Sequence, residues 1–126
     1  MGDRANIYIK QEGRKDEGIY LYTRSGGSGL PFVLQGALKR GESRWNDESY
    51  LARIIFCEMI QTRVMDETGY GISIYPPDNE YPLLVVDCAS QEVSVSDCPY
   101  NGEERKKTKF ADFVKLTEEE IARFRE

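Results

Sequence analysis

Residues Gly18–Arg40 read GIYLYTRSGGSGLPFVLQGALKR, an alternating strand that runs through a glycine-rich turn straight into a helix. From Ile19 to Thr23 (IYLYT) the residues alternate with the period of two that a strand requires. Pro31 suits the first turn of a helix and Gly41 its end, so the pattern predicts a helix over Leu30 to Arg40. Leu30, Val33, Leu34, Ala37 and Leu38 form its apolar stripe.

Upstream, Asn6 to Lys10 (NIYIK) alternates as well, and the charged stretch QEGRKDEG separates it from the first strand as the long loop of a hairpin. Ile7 and Ile9 belong to the inner face, joined either by Tyr20 and Tyr22 or by Ile19 and Leu21. Downstream, Asp47 offers an N-cap for a longer helix through about Met65, with Tyr50, Leu51, Ile54, Ile55, Cys57, Met59, Ile60 and Val64 on a wide apolar face.

Tyr70 to Tyr75 reads as a strand, PPDNEYP as a loop because its prolines block regular pairing, and LLVVD (Leu83 to Asp87) as a central strand. Glu92 to Ser96 alternates with one wet face, and these last three strands are expected to form an antiparallel meander. The basic run Arg105, Lys106, Lys107 and Lys109 reads as a solvated loop. Thr108 would cap a short helical segment, KFADFVK, and Thr117 with Glu120 makes a capping box for a last, exposed and frayed helix.

The order implies an α+β two-layer sandwich, an antiparallel sheet of about five strands with two main helices on one face. The 126 residues fit a single domain spanning 1–126, with a less tightly packed tail from about residue 99.

Composition narrows the function classes. A content of 40% hydrophobic and 31% charged residues is that of a soluble globular protein, and no apolar run approaches the ~20 residues of a membrane span. MGDRANI lacks the apolar core of a signal peptide, and a cytoplasmic location is expected. Cys57, Cys88 and Cys98 form an odd set without a CxxC pair, which fits a reducing compartment. The absence of histidine removes Ser-His and Cys-His nucleophile pairs and His-based zinc sites. A net charge of −5 disfavours duplex nucleic acid as a partner. No catalytic residue, metal or cofactor is expected.

The glycine turn is either a plain corner or an anion cradle. Gly26, Gly27 and Gly29 permit positive φ, the helix start adds its positive end, and Arg24 can make two parallel hydrogen bonds to a phosphate or carboxylate, with Ser25 and Ser28 beside it. RSGGSG is neither a Walker motif nor GxGxxG. Trp45 can stack on a ring or staple the helix start, and Arg53 either edges the apolar face or points into a pocket. Asp78, Asn79, Glu80 and Asp87 lack a calcium-loop pattern. The tyrosines of the strands, among them Tyr8, Tyr20, Tyr22, Tyr70, Tyr75 and Tyr81, follow β-propensity or stack bases.

MGDRANI, YLYTRSGG, RWNDESYLARIIF, GYGIS and PPDNEYP together resemble a group of small bacterial and phage proteins with no established activity. The resemblance runs from Met1 to about Asp87 and implies a self-contained small domain with a phage association. The position of Arg24 is often histidine in that group, and arginine here weakens a catalytic base at that site.

These readings point to a non-enzymatic, homo-oligomeric binding protein for an anionic, nucleotide-like small molecule, with Arg24, Ser25, Gly26, Gly27, Ser28, Trp45 and Arg53 as ligand contacts. A phage counter-defence role is its narrower form. The alternative is a protein–protein interaction module or inhibitor of a host protein, and the third class a small hydrolase using Ser25 or Ser28.

Overall fold

The computed structural model describes residues 2–11 and 17–126; the charged hairpin connection at 12–16 lies outside the described residues. Among the described residues the strands are β1 (Ala5–Lys10), β2 (Gly18–Thr23), β3 (Tyr70–Ser73), β4 (Leu83–Asp87), β5 (Glu92–Ser96) and β6 (Arg105–Lys109). The helices are α1 (Leu30–Arg40), α2 (Glu48–Ile60) and the short α3 (Phe110–Phe113) and α4 (Glu118–Ala122). The fold is α+β, with one open sheet in the order β3-β2-β1-β4-β5-β6.

The sheet is antiparallel except where β4 lies parallel to β1. The expected meander of the last three strands is therefore corrected: β3 returns to β2, and the proline loop carries the chain across to β1. Hydrogen bonds to the start of β1 explain that route, because the Glu80 N–H donates to the Arg4 carbonyl and the Asn6 side chain donates to the Asp78 carbonyl. The loop is stitched along the start of β1, so the next strand begins level with it.

Alternation divides the residues between two faces. Ile7, Ile9, Leu21, Leu84, Val86, Val93 and Val95 join Leu34, Leu38, Leu51 and Ile55 of α1 and α2 in one core. Tyr8, Tyr20, Leu83 and Val85 face the other side, where Cys98 and Tyr100 pack over them. Leu21 thus lies with the helices and Tyr20 opposite, which settles the choice left open by the sequence.

Helix α2 starts as expected, with the Asp47 carboxylate accepting the Tyr50 N–H. It stops five residues short of Met65: Gln61 takes a φ of 48°, and Val64 and Met65 stand exposed instead of extending the buried face. The basic run is also corrected, from loop to strand. Its side chains are solvated, but its backbone pairs with β5, so a polar composition hid an edge strand.

The tail expected to be loose contributes Phe110, Phe113, Ile121 and Phe124 to the core. Phe113 and Phe124 meet edge to face at 4.9 Å, and the Gln35 amide of α1 donates to the Phe113 and Leu116 carbonyls at 3.2 and 3.0 Å. Burying each phenyl ring contributes roughly 2–3 kcal/mol, which outweighs the fraying of a short helix. The Thr117–Glu120 capping box is present.

Candidate functional site

At the glycine corner the chain supplies its own anion. Gly26 adopts a φ of 80°, and the turn that follows directs the Ser28 N–H and hydroxyl to one carboxylate oxygen of Asp3, at 3.0 and 2.7 Å. The Gly27 N–H donates to the Asp3 carbonyl, and Tyr81 donates its hydroxyl to the second carboxylate oxygen. Those bonds, Tyr81 foremost, hold the Asp3 carboxyl below its ordinary value of 3.8 and push the Tyr81 hydroxyl up. Arg125 lies 4.1 Å from the centre of the Tyr81 ring and donates to the carbonyls of Gly27 and Ser28.

An incoming phosphate would have to displace Asp3 from these donors. Glycine is required at Gly27 for a steric reason: a Cβ there would sit 2.5 Å from the Asp3 carbonyl oxygen and 2.7 Å from the Ala5 methyl. The Thr23 hydroxyl bonds the Ser25 carbonyl, and Arg24 gives its backbone to the fold, its N–H to Gly69 and its carbonyl to Asp3. The Arg24 side chain is exposed.

The other expected contacts lie apart from that corner. Trp45 donates its indole N–H to the Leu38 carbonyl at 2.9 Å and meets the Phe110 ring at 5.5 Å, so it packs against the core. Arg53 lines a separate groove. Asp78 and Glu80 are held by Arg4 rather than gathered, and the described residues contain no cluster suited to a metal ion.

On the reverse face, Lys10 lies 3.0 Å from Glu104 and 3.4 Å from Asp87, while Tyr100 and Ser94 both donate to Glu104. Tyr8 is sandwiched between Tyr20 and Tyr100, with ring centres 4.7 and 4.6 Å away, which removes it from any base-stacking surface. Burial works against the charge on Lys10, yet the Glu104 hydrogen bond and charge outweigh it and raise the ammonium's pKa. Burial and then Glu104 raise the Tyr100 hydroxyl as well. For Glu104, burial opposes ionisation, but bonds from Tyr100 and Lys10 prevail and lower its pKa. A catalytic base needs a pKa brought toward neutrality. Here Lys10 and Tyr100 hold their protons more firmly while Glu104 stays ionised, and the arrangement works as a clamp.

The site with unspent binding capacity is the free edge of the sheet at β3. β3 pairs with β2 through Tyr20↔Ser73, Leu21↔Ile72, Tyr22↔Gly71 and Thr23↔Tyr70, and among the described residues no strand covers its other side. Ile72 and Ile74 are 58% and 69% exposed, and Tyr75, Val64 and Met65 are exposed too. Between this edge and α2 runs a groove of about 250 Å³ lined by Ile19, Leu21, Ile72, Ala52, Phe56 and Arg53. Arg53 is exposed, and among the described residues its side chain makes a weak bond to the Cys57 sulfur at 3.8 Å.

No protein-family model matches the chain, and searches of curated proteins and of solved structures return no match. Sequence reasoning missed Asp3, Tyr81 and Arg125, which meet the glycine turn from 25, 53 and 97 residues away in the chain and carry no local pattern. For Ile72 a signal existed, since a short strand between Gly69 and Pro76 with apolar residues on alternate positions suits an edge.

Proposed function

We propose that this protein is a protein–protein interaction module that docks a partner along the β3 edge and the adjoining groove. One observation carries the reading: Ile72, an apolar residue 58% exposed, stands on an unpaired strand edge beside a groove lined mostly by apolar side chains. An edge strand offers unpaired N–H and C=O groups to an extended segment, and neighbouring apolar side chains add affinity by leaving water. The anion-binding reading loses support because the Gly27 and Ser28 amides are engaged by Asp3.

An inhibitor of a host protein in phage counter-defence is the narrower form, resting on the resemblance of the first two thirds of the chain. Cys57, Cys88 and Cys98 form no disulfide among the described residues, which suits a reducing compartment and an encounter in the cytoplasm. Affinity capture from bacterial lysate, comparing the intact chain with Ile72→Lys/Ile74→Lys, tests it. A partner held by the first and lost by the second is the expected outcome. Equal capture by both sinks the reading.

A further inference from the structure

We infer that the segment β3 accepts is an extended one carrying an apolar residue and, two positions along the same face, a carboxylate. This rests on the docking reading above and names the partner's chemistry. An added strand would run ~4.8 Å from β3 and turn alternate side chains to the helix side of the sheet. Ile72, partnered with the core residue Leu21, marks that side, so the incoming residue opposite Ile72 meets the groove and should be apolar.

The next residue on that face falls ~6.7 Å further along, within reach of a long side chain from α2. Arg53 is the cation that lines this groove, and among the described residues its side-chain bond goes to the Cys57 sulfur and not to a carboxylate. Its guanidinium suits a planar carboxylate held by two parallel bonds. The acidic character of the whole chain, at −5, does not oppose this, because repulsion from distant surface charges is screened beyond ~8 Å at physiological ionic strength. The same argument disfavours a second copy as occupant: Tyr70, Gly71, Ile72 and Ser73 of its own β3 bring no carboxylate to Arg53.

Selection of a displayed library of random peptides, each about ten residues so as to exceed the usual strand length, on the full chain tests the inference. Winners on the intact protein should show an apolar residue with Asp or Glu two positions away. Synthesised winners, followed by fluorescence anisotropy, should bind Arg53→Glu about tenfold more weakly. Exchanging the peptide acid for lysine should restore binding to that variant. Melting curves of each variant verify the fold.

Winners that lose binding on Ile72→Lys yet show no acid preference would overturn the inference and leave the docking reading standing. Winners indifferent to Ile72→Lys, or no winners at all, would overturn both. A dimer in sedimentation velocity that Ile72→Lys dissociates would assign the edge to a second copy and overturn the inference.

Discussion

The sheet has two edges, and they are finished in opposite ways. β6 ends one side with Arg105, Lys106, Lys107 and Lys109, carries an irregularity opposite Val93 to Val95, and places Lys106 at a φ of 56°. Its cations also hold the tail: Arg105 donates to the carbonyls of Arg125 and Glu126, and Lys106 to that of Arg123. β3 ends the other side with Tyr70, Gly71, Ile72 and Ser73, in unbroken register with β2 and with no lysine, arginine or proline among them. Charges and bulges are the usual means of keeping a strand edge from pairing. A chain that applies them on one side and omits them on the other is guarded against pairing at β6 and unguarded at β3.

The largest effect should come from breaking the closed side. Phe113→Ala removes a fully buried core ring that meets Phe124 edge to face, and urea denaturation should show a loss of ~3–5 kcal/mol. A loss below ~1 kcal/mol would mean that the tail does not belong to the core.

Next in size is the clamp that leads into β6. Glu104 precedes that strand by one residue, and its side chain is 7% exposed. Lys10→Met would leave the carboxylate buried without its main cation, costing ~3 kcal/mol in the same assay, near the low end for such a break because Lys10 itself is partly exposed. An unchanged midpoint would show that Tyr100 and Ser94 suffice to hold Glu104.

At the open side the expected stability change is small. Ile72→Lys should shift the unfolding free energy by no more than ~0.5 kcal/mol, since the side chain already stands in water, while partner capture falls away. A large destabilisation would assign Ile72 to packing and erase the contrast between the edges.

The smallest expected effect concerns Asp3, whose corner joins the entry of β3 through the Arg24 N–H to the Gly69 carbonyl. The Asp3 carboxyl is lowered in the folded protein, so its contribution is full above the ordinary 3.8 and is lost as pH falls through the folded value. Asp3→Asn should therefore melt ~1–2 °C below the parent near neutral pH, with the gap closing under acid conditions, a modest shift because the site is partly solvated. A gap independent of pH would attribute the difference to shape alone.

How much could be read in advance follows the range over which each residue acts. Helix α1, the Asp47 cap, the Thr117–Glu120 box and the β1–β2 hairpin depend on neighbours within a few positions, and the sequence displays them. The parallel pairing of β4 with β1 depends on a loop stitched to residues more than seventy positions away, and periodicity carries no record of that. β6 was hidden because an edge strand with both faces solvated has no alternation to detect. RSGGSG reads as either a plain corner or an anion cradle, and in the fold Ser28 of that turn donates to the carboxylate of Asp3. No local pattern could supply the partner, because Asp3 lies 25 residues from Ser28.

That distance in the chain sets a time order. On the ribosome, Asp3 and the glycine turn are made well before Tyr81, and Arg125 comes later still. At ~5–20 residues per second, the corner waits several seconds for its last partner. A stretch made early is fastened late.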